Sequence, residues 1–298
     1  MKLTFRIEYR TAWGESIGVM LQGQENSPIM LGTSDGIVWE GSEEMTDAPA
    51  GVPLTYRYGV FLDGQCSRRE SGTMAHIFCP SKKQKSHYIL NDTWKDLPMA
   101  SHLYSAAFSG NYSLENAPKD QCTGQGDIVF RALCPCLHHR KQILGICGRE
   151  EQLGYWNPDR AICMEEIQAN EWVATLPIKD LKFPLEFKFV AINASTGKVE
   201  EWEMGNNRHL HINDLRKGEI FCTNEMEVQF GSMSRKVAGT AIPVFSLRSE
   251  GSFGVGDFGD LKKLIDWAEK THQQAVQILP INDTTITNTW MDSYPYNS

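Results

Sequence analysis

The feature that most limits how this chain can fold is an internal echo. Phe5-Arg6 recurs as Phe130-Arg131, Leu31-Gly32 as Leu153-Gly154, and Trp39 as Trp172. Thr55-Tyr-Arg-Tyr-Gly59 is answered by Glu186-Phe-Lys-Phe-Val190, and Glu70-Ser-Gly72 by Glu203-Met-Gly205. Each match is trivial alone; their shared order and similar spacing point to a duplicated domain of about 100 residues. Within each copy the apolar residues alternate, as at Leu3, Phe5, Ile7 and Tyr9, and Gly, Pro and Asp clusters break the runs. That pattern reads as short strands with turns, including runs at 17–22, 54–62 and 74–78, and so as an immunoglobulin-like β-sandwich.

After about Phe230 the pattern changes. Ala241–Leu247 reads as a buried strand, and Ala275–Ile281 as a second one. Between them Leu261, Leu264, Ile265 and Ala268 recur at helical spacing behind Asp260, the expected N-cap. Strand, helix, strand is the start of a parallel α/β domain. The expected organisation is mainly β, with sandwiches over 1–96 and 127–229. A linker rich in Ser, Asn, Ala and Pro joins them over 97–126, and the α/β start occupies 230–298.

Charge narrows the partners. The formal net charge of −8 gives no excess of Lys and Arg to meet a nucleic-acid backbone or an anionic membrane. The first residues alternate rather than forming an apolar run, so they read as a strand and not a signal peptide. No stretch approaches the apolar length of a membrane span. The eight cysteines form no CxxC pair. A reduced, cytoplasmic protein is expected.

The second repeat carries the clearest chemical signal. Leu153-Gly-Tyr-Trp156, Phe187-Lys188-Phe189 and Glu201-Trp-Glu-Met-Gly-Asn-Asn-Arg208 resemble the starch-binding domains of carbohydrate-binding module family 20. The resemblance covers most of 127–225 and implies carbohydrate binding by Trp156 and Trp202 as a stacking platform, with Lys188, Glu203 and Asn207 reading hydroxyls. The physics agrees. An indole covers the C–H face of a glucose ring at low entropic cost, and two inclined indoles can follow a curved α-1,4 glucan. Against this stands the rule that tryptophan is usually buried; the turn sequence around Trp156 and the glutamates beside Trp202 favour a surface.

The first repeat lacks both platform tryptophans. Thr33-Ser-Asp35 follows Leu31-Gly32, and Arg69 precedes Glu70. It keeps Trp13 and Trp39, which fall where the family places a second glucan site; for these, ligand contact and core packing read equally well. Trp172, without such a partner, reads as core. Two further patterns are weak. Cys134, Cys136, His138 and His139 lack the paired spacing of a zinc site, so no metal is expected. Gly254-Val-Gly-Asp-Phe-Gly259 is a formal GxGxxG, which raises a dinucleotide enzyme as a rival. Six residues separate it from the strand, and Asp257 and Asp260 would repel phosphate.

Pro243–Ser249, Ser252–Leu261, Gln277–Asp283 and Asp292–Ser298 resemble the opening of glycoside hydrolase family 77, the 4-α-glucanotransferases of the amylomaltase or disproportionating type. The resemblance implies the first βαβ segment of a (β/α)₈ barrel and a retaining transfer of α-1,4-glucan segments without a cofactor. It also implies that Tyr296 lies in the substrate cleft and that the catalytic carboxylates come from later strands, leaving none in this chain. The implied partners are starch, glycogen and malto-oligosaccharides, and a homodimer of the parent enzyme is compatible with it. The alternative from another class is a noncatalytic β-sandwich scaffold that binds protein partners.

Overall fold

The computed structural model describes residues 1–45, 54–71, 75–78, 80, 87–96, 127–135, 137, 141–168, 170–179, 181–212, 215–233 and 238–281. The sequence-based linker over 97–126, the His138–His139 pair and Tyr296 therefore lie outside the described residues. The chain forms two compact units, Met1–Met233 and Ser234–Ser298.

In the first unit one strand programme runs twice. The first pass is β1 (Lys2–Glu8), β2 (Glu15–Leu21), β3 (Ile29–Met30), β4 (Gly32–Thr33), β5 (Val38–Glu44), β6 (Leu54–Leu62), β7 (Gln65–Arg69), β8 (His76–Phe78) and β9 (His87–Thr93). The second is β10 (Asp127–Leu133), β11 (Gln142–Gly148), β12 (Ile162–Cys163), β13 (Glu165–Gln168), β14 (Glu171–Pro177), β15 (Leu185–Asn193), β16 (Val199–Trp202), β17 (Arg208–Leu210) and β18 (Glu219–Glu227). In each pass the opening strand lies between an antiparallel and a parallel neighbour: β5 and β9 flank β1, and β14 and β18 flank β10. The remaining strands build a smaller sheet, β3-β2-β6-β7 with β8 on β6, and β12-β11-β15-β16 with β17 on β15.

The two passes do not stay separate. β9 and β18 pair in parallel, Ile89 opposite Phe221 and Leu90 opposite Cys222, so both halves share one eight-stranded sheet, β13-β14-β10-β18-β9-β1-β5-β4. Two tandem sandwiches were expected, with their relative orientation left open; a shared sheet joins them into one unit. Strand alternation explains how one sheet serves two cores. On β9, Tyr88 and Leu90 enter the first core while Ile89 packs on the second; on β18, Ile220 and Cys222 enter the first and Phe221 the second. The two smaller sheets consequently cover opposite faces of the long sheet.

That arrangement buries what a lone sandwich would expose. Val129 and Arg131 point away from the second core and are covered by the first half, so Val129 joins the first core and Arg131 is almost wholly buried. Around Arg131 a polar network closes the seam. Its guanidinium donates to Asp92 Oδ1 at 2.5 Å and to Glu225 Oε1 at 3.3 Å. His76 lies between Glu225, 3.0 Å from Nδ1, and Glu70, 3.0 Å from Nε2. Lys95 Nζ is 3.4 Å from Glu225, and the hydroxyls of Tyr56 and Tyr58 both donate to Asp92 Oδ2. The acids Glu70, Asp92 and Glu225 face the bases His76, Lys95 and Arg131, so the buried formal charges balance. Burial opposes a charge on His76, but the carboxylates of Glu225 and Asp92 outweigh it and hold the imidazole up to about 10. His76, Asp92 and Glu225 also converge closely enough to suit a metal ion, yet the guanidinium and the ammonium already supply the countercharge there.

In the second unit, β19 (Gly239–Ile242) and β20 (Ala275–Ile278) pair in parallel with α1 (Phe258–Lys270) between them in sequence. The cap is Asp257, three residues before the expected Asp260. Asp257 accepts from the N–H groups of Gly259 and Asp260, and Asp260 returns a bond to the Asp257 N–H, a capping box. Asp260 also accepts from the hydroxyls of Ser249 and Ser252. The GxGxxG stretch is thus a carboxylate-capped turn, whose charge opposes a phosphate at this helix start. The second strand was expected to be buried; Ala275, Gln277 and Ile278 are exposed, as are Phe253, Phe258, Ile265 and Trp267. Among the described residues of this unit, β20 has β19 as its one strand neighbour.

Candidate functional site

The platform begins at a turn that only a special sequence can make. Gly154, Tyr155 and Trp156 all have left-handed backbones, with φ of 84°, 53° and 59°. For Gly154 the choice is forced twice, because a Cβ would also lie 2.7 Å from the Arg160 carbonyl oxygen. The coil is tied down by bonds from Trp156 N to Gly148 O at 2.7 Å and from Asn157 N to Gly154 O at 2.9 Å. Asn157 then caps the next short turn, its side chain accepting from Asp159 N. The result lifts Trp156 out of the sheet and leaves it half-buried.

Trp202 arrives from the other side, at the end of β16, paired with Val190. It rests on a small outer cluster of Cys147, Val190 and Ile192. The two indoles stand 6.2 Å apart at 42°. They form an inclined pair with partial exposure, which a buried stacked pair would not need.

The polar residues differ in how much of their hydrogen-bonding capacity the fold already uses. Lys188 Nζ donates to Glu203 O at 3.1 Å and Gly205 O at 2.7 Å, tying down the loop after Trp202. An ammonium has three protons, so one remains uncommitted among the described residues. Exposed Asn207 donates to Glu186 Oε1 at 2.7 Å, which fixes the amide while its oxygen stays uncommitted among the described residues. Glu186 is in turn paired with Arg149. Glu203 differs. It is buried, accepts from Phe189 N at 2.9 Å, and takes a bifurcated bond from Arg208 Nε at 3.1 and 2.9 Å. Expected to read a hydroxyl, Glu203 instead braces the loop.

The repeat explains why. Glu70, its counterpart, accepts from Tyr58 N at 2.7 Å, the counterpart of Phe189 N, and takes its second partner from His76. A carboxylate conserving that bond in both copies is part of the architecture. The recurrence of Glu70 as Glu203 is the sequence sign that each acid takes a basic partner, buried His76 in one copy and half-buried Arg208 in the other.

The first repeat presents a different surface. Arg69 pairs with Gly59 as Trp202 pairs with Val190, and Arg57 stands opposite Met20 as Lys188 stands opposite Cys147. Leu31-Gly32 makes no left-handed coil: Gly32 and Thr33 form β4 against β5. Trp13 is fully exposed beside an open cavity of about 720 Å³ lined also by Arg10, Glu15, Asp35, Ile37 and Trp39. Trp39 reads as core by its burial, 5% exposed, and cannot stack a sugar face as Trp13 could. Its Nε1 nevertheless has no hydrogen-bond partner among the described residues, whereas Trp172 Nε1 donates to Cys134 O at 3.3 Å. Trp94 packs on Tyr9, ring centres 4.4 Å apart.

Comparison with known proteins places both segments. Residues 127–220 match the family model described as starch binding domain, and residues 242–298 match that described as 4-alpha-glucanotransferase. The 4-alpha-glucanotransferase DPE2 of Oryza sativa subsp. japonica is 30% identical over 322 aligned residues, covering 99% of this chain and 33% of that protein. A 4-alpha-glucanotransferase of Chlamydia caviae is 47% identical over 60 residues, 20% of this chain and 10% of that protein. Among solved structures, the family 20 module of a maltotetraose-forming amylase from Pseudomonas saccharophila aligns with 32% of this chain and 98% of its own, at 19% identity and a TM-score of 0.24. The chain spans a third of the length of the rice relative. Residues 127–220 are therefore similar to starch binding domains, and residues 242–298 to a part of the 4-alpha-glucanotransferases.

Proposed function

We propose that this chain is the glucan-binding region of a 4-α-glucanotransferase and that it holds α-1,4-glucan on the Trp156–Trp202 pair. The observation that carries the reading is the inclination of two half-exposed indoles at 6.2 Å and 42°. Glucose rings stack on the indoles, while Lys188 and Asn207 donate to and accept from hydroxyls at the rim. Binding at so shallow a site is expected to be weak, about micromolar to millimolar. Retention on amylose resin, competed by maltoheptaose, tests it. Trp156→Ala with Trp202→Ala should abolish retention, and undiminished retention would refute the assignment.

A second glucan contact in the first repeat is supported by the exposed Trp13 ring beside the cavity. Residual retention in the double variant that disappears with Trp13→Ala would place it there. The match of residues 242–298 supports a whole protein that transfers α-1,4-glucan segments by a retaining route, to be checked by disproportionation of maltotriose. Five described cysteines are free thiols, which supports a cytoplasmic setting.

A further inference from the structure

Tyr155 is in a conformation that its side chain does not favour. Its φ of 53° lies in the left-handed region, which glycine and asparagine occupy readily and a bulky aromatic residue rarely does. Burial does little to compensate, for the residue is 58% exposed. A residue kept at a conformational cost, with its apolar surface in solvent, is one whose use lies outside the fold.

The ring is also aimed. Tyr155 N donates to Glu150 O at 3.2 Å, and the Arg160 guanidinium stands 5.7 Å from the ring centre. Arg160 is itself fixed through its backbone bond to Asn157 and its contact beneath Gly154. An aromatic ring held by a cation on a braced turn is ordered before any ligand arrives, so little entropy remains to be lost on contact. Its neighbour in sequence is Trp156, one half of the platform.

We propose that Tyr155 is a third sugar contact, which engages glucan chains longer than the stretch covered by Trp156 and Trp202 and makes the site selective for length. The proposal rests on the glucan reading of the tryptophan pair. Its phenol would stack or donate to a glucosyl unit beyond the platform, and a disaccharide would not reach it.

Calorimetric titration of the full chain with maltose and with maltoheptaose tests this. Tyr155→Ala should weaken maltoheptaose binding by about two- to tenfold, the range of one stacking contact, and leave maltose unchanged. Tyr155→Asn keeps a side chain suited to the left-handed turn. It should show the same loss with a thermal midpoint equal to or above wild type. Equal weakening of both sugars, or no change in either, overturns the role in length selection. A lowered midpoint in Tyr155→Asn assigns the residue to the fold and overturns it as well. If the wild-type chain binds neither sugar, the platform reading itself is what has failed.

Discussion

Arg6 and Arg131 occupy one position of a duplicated domain, each following a phenylalanine in the opening strand. Arg6 lies at the surface, its guanidinium 2.5 Å from Glu40 with both side chains well exposed. Arg131 is sealed in the seam with Asp92 and Glu225. The residue type and the local strand are the same; the difference is which half covers that face of the sheet. A side chain's energetic role is therefore set by what the second copy was laid against.

The largest test of that contrast is to remove each charge. Arg131→Met leaves Asp92 and Glu225 buried without their guanidinium and should cost about 3–5 kcal/mol in urea unfolding. Arg6→Met breaks an exposed pair and should cost less than about 1 kcal/mol. Similar losses at both positions would mean that the seam contributes nothing special.

The seam also sets a pH response. His76 titrates near 10 when folded, above the 6.5 of an ordinary imidazole, so its contribution is complete below about 6.5 and disappears as pH rises through 10. Glu225 is driven the other way: burial opposes its charge, but Arg131 and His76 hold it well below the carboxylate range. Its contribution is therefore lost in acid. Glu171 is pushed up to about 7 by burial, so it adds a loss of stability of its own as pH rises from about 4.5 to 7, before most of the His76 loss. Thermal midpoints should fall between pH 6.5 and 10, and His76→Gln should flatten that fall. An unchanged slope in the variant would remove His76 from the account.

The surface around Trp156 and Trp202 and its counterpart around Arg69 give the next contrast. Trp156→Ala or Trp202→Ala should each weaken glucan binding by roughly 10- to 100-fold, as expected for a buried-contact aromatic. Arg69→Ala, at the matching position of the first repeat, should leave retention on amylose unchanged. A comparable loss there would give the first repeat a platform of its own. The smallest effect separates the two Leu-Gly pairs. Gly154→Ala meets both a positive φ and the Arg160 carbonyl, and should cost about 1–2 kcal/mol with weaker retention. Gly32→Ala, with its nearest contact at 3.8 Å, should change stability by about 0.5 kcal/mol or less. Equal costs would show that the left-handed coil is not what builds the site.

Much of this could be read from the chain because strands announce themselves by alternation and because every landmark occurs twice. The positions of Trp156 and Trp202 were legible from the motif residues. The role of Glu203 was not, since a glutamate beside a platform tryptophan looks polar and exposed until the Phe189 N–H and Arg208 close on it. Trp39 showed the same blindness: an indole's burial depends on partners distant in sequence. The shared sheet was hidden altogether. Nothing in His87–Thr93 or Glu219–Glu227 specifies a partner strand, because backbone hydrogen bonds carry no residue code, and each strand's two apolar faces fit a buried strand in either of two arrangements.

The pairing of β9 with β18 has a consequence for handling the molecule. Each of these strands would otherwise be the rim of its own sandwich, presenting a row of unsatisfied N–H and C=O groups beside Tyr88, Leu90, Ile220 and Cys222. Such a rim is a template for joining other chains. Cutting the duplicated region in two, as one would to isolate a single sugar-binding module, would open both rims at once. The halves would then be prone to find each other, or further copies of themselves, in solution.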